Sequence, residues 1–192
     1  AVAGVPCGLQ DQLAAAFGGV NLWTWPARAD RTPFARRPLL RTADQARLDD
    51  HLLVAYLGVR HVSKDVNTTW VRQFITAESR DQWRAIVGLT GEFADALGRG
   101  DMRSAAAAVN RETAIRKAMT PQVLDGMGDR LAAAAIDCGC GARFTGAGGG
   151  GCLWAIGEAD AVTGLTPLWQ SILASRPTAC LLECRVDARG VE

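Results

Sequence analysis

The stretch ARFTGAGGGGCLWAI, Ala142–Ile156, places six consecutive small residues between two apolar runs that are typical of buried strands. Backbone N–H groups in such a segment can turn toward one point without Cβ atoms in the way, and the resulting concavity suits phosphate oxygens. The alternative is a tight hairpin, although such turns typically need only one or two glycines. We therefore expect close approach of a ligand or a neighbouring backbone at these positions: Gly146, Ala147, Gly148, Gly149, Gly150 and Gly151.

This glycine run does not match the better known phosphate-binding patterns. It lacks the lysine of the G-x-x-x-x-G-K-[ST] loop, and it leads into a strand instead of the helix that follows a dinucleotide-binding fingerprint. The pattern alone therefore indicates either a phosphate site or close backbone packing, and it does not identify a nucleotide.

The overall composition indicates a globular domain without a strong charge. The chain has 192 residues, of which 48% are apolar and 21% charged, and its formal net charge is +1. These values fit one soluble domain and give no global field that would favour nucleic acid or an anionic membrane. The first ten residues, AVAGVPCGLQ, lack the pattern of a signal peptide. We expect a cytoplasmic protein with neither nucleic-acid nor membrane partners.

The six cysteines are spaced unlike a zinc site. Their close spacings are Cys-Gly-Cys and Cys-x-x-x-Cys, without a flanking histidine or a second Cys-x-x-Cys. We expect reduced, mostly buried thiols and no metal site at these positions: Cys7, Cys138, Cys140, Cys152, Cys180 and Cys184.

Strand and helix patterns alternate without regular βαβ repetition, which predicts the α+β class. In the helices, Ser79 with Gln82 forms a capping-box pattern, Asp101 is a cap, and Thr120 precedes a proline at the first helical position. Helices are predicted at 9–17, 62–75, 79–97, 102–119, 121–136 and 159–174. Strands are predicted at 20–25, 51–57, 142–145, 152–156 and 180–186, with a hairpin or irregular crossing at 26–41.

A second segment, GLQDQLAAAFGG, places Asp11 in the first turn of the first predicted helix. The field of a helix N-terminus favours an ionised carboxylate there, which could orient or deprotonate a hydroxyl group. The alternative is an ordinary helix-capping aspartate.

Together these segments resemble the GHMP kinases, the superfamily of galactokinase, homoserine kinase and mevalonate kinase. RFTGAGGGGC resembles their third conserved motif, and GLQDQLAAAFGG is similar to the segment that carries the catalytic aspartate in the sugar kinases. RLDDHLLVAYLG and LLECRVDARG resemble a strand leading to the substrate-side turn and the terminal strand. The best match is to the fucokinases and D-glycero-D-manno-heptose phosphate kinases, which act on anomeric hydroxyls.

The resemblance runs from about Pro6 to Gly190 and implies a particular fold. It implies a GHMP-kinase C-terminal-type domain at 1–192, an antiparallel sheet with a split βαβ (ferredoxin-like) arrangement packed by four or more helices. The N-terminal ATP-binding domain, with its phosphate loop and magnesium ligands, has no counterpart in this sequence. We therefore expect the complete kinase to use ATP and Mg²⁺ and this chain alone to bind neither tightly.

The resemblance also implies roles for individual residues. Asp11 would be catalytic, and the glycines at 146–151 would bind nucleotide phosphate. Gln12, Gly58, Arg60 and Ser63 are candidate contacts for a sugar or sugar phosphate. The expected function is phosphorylation of a sugar hydroxyl by the complete kinase, with this fragment inactive alone. The alternative is a non-catalytic sugar-binding, nucleotide-binding or assembly module, which could form a homodimer or pair with the missing kinase domain.

Overall fold

A computed structural model describes residues 10–25, 34–59 and 63–191, with the side chains of 63–65 excluded. The helices are α1 (Gln10–Phe17), α2 (Thr42–Gln45), α3 (Ser63–Ile75), α4 (Arg80–Gly98), α5 (Met102–Met119), α6 (Gly126–Asp137) and α7 (Ala159–Leu173). Short 3₁₀ turns occupy Ala46–His51 and Pro121–Val123. The strands are β1 (Asn21–Thr24), β2 (Ala35–Pro38), β3 (Leu52–Tyr56), β4 (Gly141–Phe144), β5 (Cys152–Ile156) and β6 (Cys180–Leu182). Within these ranges, no helix combines the length and apolarity needed to cross a membrane.

A four-stranded sheet in the order β4-β5-β3-β6 organises the domain, and each neighbouring pair is antiparallel. The hairpin of β1 and β2 forms a separate two-stranded sheet. The α+β class is thereby confirmed. Because residues opposite each other in a ladder share a face, the pairing register divides the large sheet into two faces of different character.

One face of the large sheet, the closed face, is packed against α6 and α7. Ala55, Leu153 and Ala155 are each 0% exposed on this face. The largest side chain behind it is Trp169, whose indole N–H donates to the carbonyl of Leu131 at 3.0 Å. This hydrogen bond satisfies the one polar atom of a buried indole, so the closed face forms a dry core.

The opposite face, the open face, is only partly covered. Ile156, at one end, is buried with residues of α4 and α5. Toward the other end, Arg143 pairs with Trp154, and Trp154 pairs with Val54. These three side chains are partly exposed. The open face therefore ends in accessible groups close to the glycine run.

Several predicted elements are confirmed within one or two residues, including the strand at Cys152–Ile156. The cap at Asp101 is also confirmed, because its carboxylate accepts from the backbone N–H of Ser104 at 2.9 Å. The capping box at Ser79 is wrong: that side chain makes no capping hydrogen bond, and the residue is buried instead. The predicted segment 26–33 and residues 60–62 lie outside the described residues.

The helix predicted from Pro121 to Ile136 is interrupted. Pro121–Val123 forms a single 3₁₀ turn, Leu124 is extended, and α6 begins at Gly126. Asp125 is the actual cap, since its carboxylate accepts from the N–H of Gly128 at 2.8 Å. A capping aspartate competes with continuation of a helix, and here Asp125 starts a new helix instead of continuing the first turn. The break leaves the carbonyl of Val123 free to bond elsewhere.

The last predicted strand, 180–186, is shorter than expected. Only Cys180–Leu182 pairs with β3. Leu181 lies opposite Ala55 and packs on the closed-face core, whereas Cys180, Leu182 and Cys184 are exposed. The expectation of mostly buried thiols is therefore wrong for two cysteines. All described cysteines are unpaired in the structure.

The chain beyond β6 crosses α1 and holds it in place. The N–H of Gly19 donates to the carbonyl of Asp187 at 2.6 Å, and the N–H of Val191 donates to that of Ala15 at 2.7 Å. Gly18 and Gly190 touch backbone to backbone: a Cβ on Gly190 would lie 2.7 Å from the nitrogen of Gly18. Since no residue of α1 is buried, these contacts with residues 187–191, the C-terminal strap, help to hold the helix, together with the packing of Phe17 on Trp23 and Phe34.

Candidate phosphate and acceptor site

The glycine run forms an irregular loop between β4 and β5, here called the glycine loop (145–151). Five of its glycines have φ between 58° and 122°, a region that residues with a Cβ rarely adopt. The N–H of Gly149 donates to the carbonyl of Val123, and that of Gly151 to the carbonyl of Val59, each at 2.9 Å. The loop is thus attached both to the break before α6 and to the turn after β3.

Half of the amides at 146–151 have no acceptor within the described part of the chain. Gly148 donates within the loop to Thr145, and Gly149 and Gly151 donate as described. Among residues 10–25, 34–59 and 63–191, the N–H groups of Gly146, Ala147 and Gly150 have no acceptor. These three donors are the ones that the loop can offer to an anion.

Packing requires glycine at one position of the loop but not at another. A Cβ on Gly148 would lie 2.6 Å from the carbonyl oxygen of Val123, so this position must be glycine for steric reasons. A Cβ on Gly146 would meet nothing within 4 Å. The expected close approach of a neighbouring backbone is thus confirmed at Gly148, whereas Gly146 borders open space.

Asp11 lies in the first turn of α1, exposed to solvent. Within the described residues its carboxylate has neither a hydrogen-bond nor an ion-pair partner, so it caps no backbone N–H there. Ala14 and Ala15 of the same helix line an apolar cleft of about 710 Å³ together with Thr145, the first residue of the glycine loop. The structure thus brings the helix of Asp11 and the start of the loop to one cleft, without direct contact between carboxylate and glycines.

The remaining predicted site residues have different outcomes. Gln12 is exposed on α1. Gly58 has φ of 72°, and a Cβ there would lie 2.5 Å from Thr178 Oγ1, so packing already requires glycine. Arg60 and the side chain of Ser63 lie outside the described residues. The turn that contains Gly58 adjoins the glycine loop through the Val59 carbonyl, which places the predicted substrate turn next to the predicted phosphate loop.

A second cavity, of about 370 Å³, opens on the open face beside the cleft, and we call it the arginine groove. Arg143 from β4 and Arg116 from α5 share the carboxylate of Glu112 there, each through its Nε at 2.7 Å. The groove is lined by Gln10, Trp25, Leu89, Thr90, Phe93, Ala108, Val109, Glu112, Arg116, Arg143 and Trp154.

The pKa of Glu112 reflects this pairing. Burial acts to raise the pKa, but the charges and hydrogen bonds of Arg143 and Arg116 outweigh it, and the pKa lies below its ordinary value. Burial also lowers the pKa of Arg116, and Glu112 opposes this change. Arg116 is stacked between two indoles, its Cζ 4.5 Å from the ring centre of Trp70 and 5.0 Å from that of Trp83. The charged Glu112 carboxylate therefore holds two guanidinium groups in place.

The described thiols and carboxylates provide no metal centre. Among those residues, no group of three histidine, cysteine, aspartate or glutamate side chains is arranged to hold an ion. Burial raises the pKa of the Cys140 thiol to about 11 and, together with Cys184 and Cys180, raises that of Cys152. These thiols are poor nucleophiles.

The arginine groove had no clear signal in the sequence. Glu112 and Arg116 are four residues apart on α5, a spacing that is common for pairs on exposed helix surfaces. Arg143 comes from a strand 31 residues away. A charged residue two positions before the glycine loop, on the strand that positions it, was the one hint available.

Neither a protein-family model nor a curated protein matches the sequence. The architecture nevertheless has a known counterpart: the chain has the fold of the GHMP kinases. The resemblance stated from the sequence is confirmed at this level. Solved structures that share the fold include kinases for a sugar and for phosphorylated and unphosphorylated mevalonate.

Three of these structures show the extent of the likeness. Lactococcus lactis galactokinase complexed with galactose has a TM-score of 0.70 at 19% identity, over 97% of this chain and 56% of its own. A putative sugar kinase from Campylobacter jejuni gives 0.63 at 21%, over 98% and 52%. Streptococcus pneumoniae phosphomevalonate kinase in complex with phosphomevalonate and AMPPNP gives 0.62 at 18%, over 80% and 43%. The chain thus spans about half the length of these kinases, and identities this low establish the fold alone.

Proposed function

We propose that this chain is the C-terminal part of an ATP-dependent sugar kinase that phosphorylates a sugar hydroxyl, the anomeric one by resemblance. The observation that carries the proposal is the common cleft of α1 and the glycine loop. An unpaired carboxylate on α1 and three unoccupied backbone amides of the loop belong to elements that border it.

The glycine loop is assigned the binding of the phosphate chain. The N–H groups of Gly146, Ala147 and Gly150 supply donors for phosphate oxygens, whereas Gly148, Gly149 and Gly151 hold the loop in shape through their own hydrogen bonds. Phosphoryl transfer proceeds through a loose transition state, so catalysis consists mainly of positioning and of charge stabilisation. Backbone donors fixed before the reaction meet that requirement.

Asp11 is assigned the orientation and deprotonation of the acceptor hydroxyl. A carboxylate without a partner among the described residues can orient the hydroxyl and accept its proton as the bond to phosphorus forms. Gln12, Gly58, Arg60 and Ser63 are proposed as acceptor contacts, with Gly58 limited to its backbone because of its packing against Thr178.

ATP would supply the transferred phosphoryl group, and Mg²⁺ would neutralise its negative charge. The unoccupied amides of the loop fit phosphate oxygens. The roles of Asp11 and of the glycine loop do not require a metal ligand among the described residues.

The strand order supports the split βαβ arrangement that the resemblance implies. β3, β4, β5 and β6 occur in the spatial order β4-β5-β3-β6, with α3 to α6 between β3 and β4 and α7 between β5 and β6. We propose that this corresponds to the split βαβ arrangement of the GHMP C-terminal domain.

The test is Asp11→Asn in the protein that contains this chain, assayed for ATP-dependent phosphorylation of sugars and sugar phosphates. A general base contributes about 10²–10⁴-fold, so kcat should fall by that factor while the Kd for ATP changes little. Asp81→Asn is the matched control, because Asp81 also lies in the first turn of a helix and pairs only with exposed Arg84. Equal losses of kcat and ATP affinity would assign Asp11 a structural role.

The 192-residue chain alone is expected to show no ATP turnover. A coupled assay that detects turnover with any sugar contradicts this expectation. Sugar or nucleotide binding without turnover, in the complete protein as well, would favour a binding module.

A further inference from the structure

The arginine groove has more positive than negative charge. Arg116 and Arg143 contribute two positive charges and Glu112 one negative charge, and the other lining residues are uncharged, so the net charge is +1. Glu112 is 7% exposed, and the side chain of Arg116 is 12% exposed. A buried positive charge without a counter-charge is unfavourable, and a bound anion would compensate it.

The hydrogen-bonding capacity of the arginines is also incompletely used. An arginine has five N–H donors. Arg116 uses only its Nε, toward Glu112, among the described residues. Arg143 uses its Nε and one terminal nitrogen toward Glu112, the latter at 3.5 Å, and its other terminal nitrogen toward the carbonyl of Phe144. The terminal nitrogens of Arg116 therefore remain available to a ligand, and the planar guanidinium group matches phosphate and carboxylate oxygens.

The position of the groove links it to the proposed acceptor site. Gln10, which immediately precedes Asp11, lies at its border. Arg143, on β4, is two residues before Thr145, and two residues of extended chain span about 6.6 Å. Trp154 and Phe93 line both the groove and the apolar cleft. An acceptor with its anionic group in the groove therefore has its other end beside Asp11 and the start of the glycine loop.

We propose that the arginine groove binds the anionic group, a phosphate ester or a carboxylate, of the sugar acceptor, so that the enzyme acts on an acidic sugar in preference to a neutral one. This inference rests on the proposed kinase function for the identity of the ligand. Arg116 contacts the anion most directly. Arg143 provides further N–H donors, and Glu112 orients both guanidinium groups. The aromatic walls reduce access of water, which strengthens the ionic contacts.

The test uses the 192-residue chain without ATP and three ligands with one carbon skeleton: glucose 6-phosphate, glucuronate and glucose. Calorimetry or NMR titration should detect binding of at least one of the two anions in the millimolar range, with glucose at least tenfold weaker. The stronger of the two anions identifies the acceptor class. Equal binding of glucose, or no binding of either anion, overturns the proposal.

Arg116→Met should weaken anion binding at least tenfold. Arg111→Met is the matched control, since Arg111 is on the same helix but forms an exposed pair with Glu92 at 2.7 Å; it should leave binding unchanged. Removal of Arg116 leaves Glu112 paired with Arg143, so the variant should fold, and circular dichroism checks this. Arg116→Lys, which keeps the charge but loses the fork, should lie between wild type and Arg116→Met. Anion affinity unchanged in both Arg116 variants contradicts the assignment.

This experiment separates two kinds of failure. If anion binding depends on Arg116 but Asp11→Asn retains kinase turnover, the catalytic proposal fails and the groove remains a binding site. If turnover depends on Asp11 but anion binding is independent of Arg116, the kinase proposal stands and the acceptor assignment is wrong.

Discussion

The two faces of the large sheet are built from the same strands and serve different purposes. On the closed face, small and aliphatic residues pack against α6 and α7 with no exposed surface at Ala55, Leu153 or Ala155. On the open face, the alternate residues Val54, Trp154 and Arg143 border a cleft and a groove. Because successive residues of a strand point to opposite faces, each strand contributes to stability on one side and supplies candidate ligand contacts on the other.

The largest effect should come from Leu153→Ala on the closed face. Leu153 is 0% exposed, and removing a buried leucine side chain costs about 2–5 kcal/mol in unfolding free energy. Cys152→Ala, one residue earlier on the open face, should cost less than about 1 kcal/mol. Urea denaturation measures both. Similar losses for the two variants would contradict the distinction between the faces.

An intermediate effect is expected at the charged edge of the open face, with a defined pH dependence. The pKa of Glu112 in the folded protein is below its ordinary value of 4.5. Its contribution to stability is therefore complete above about pH 4.5 and is lost as the pH falls through the lower, folded-state pKa. Glu112→Gln should lower stability at pH 7 by about 1.5–3 kcal/mol and should reduce the acid dependence.

Unfolding free energies measured from pH 7 down to pH 3 check this behaviour. Glu92→Gln is the control, because Glu92 forms an exposed pair with Arg111. An acid transition of equal size in wild type and Glu112→Gln would place the titrating group elsewhere.

The smallest effect is expected at Gly146 of the glycine loop, in contrast to a larger one at Gly148. Gly148→Ala combines φ of 77° with a Cβ only 2.6 Å from the Val123 carbonyl, and it should cost about 2 kcal/mol or more. Gly146→Ala has φ of 58° in open space and should cost about 1 kcal/mol. In the complete kinase, Gly146→Ala should still weaken ATP binding, because it changes the conformation of the loop that offers free amides. Equal stability losses for the two variants would show that the contact with Val123 is unimportant.

The sequence predicted local structure well where one pattern acted without competition. β5 and α7 have strong apolar patterns and clear boundaries, and both were placed within one residue. The cap at Asp101 was also predicted. In contrast, Thr120 was predicted to cap a helix, whereas the observed cap is Asp125, five residues later, after the buried residues Val123 and Leu124.

Features that depend on distant partners were not predictable from the sequence. The face of β6 is set by the register of Leu181 opposite Ala55, which local alternation does not determine. The arginine groove unites a helix pair and a strand residue 31 positions apart. The candidate roles of Asp11 and the glycine loop came from resemblance, and they remain predictions, as does the cytoplasmic location.

The C-terminal strap has a genetic consequence. Residues 187–191 bond to Gly19 and Ala15 and meet Gly18, while α1 has no buried residue of its own. Substitutions confined to these five positions would leave the core sequence intact, yet they would loosen the helix that bears Asp11. Variants of Asp11 and variants of residues 187–191 should therefore share one phenotype.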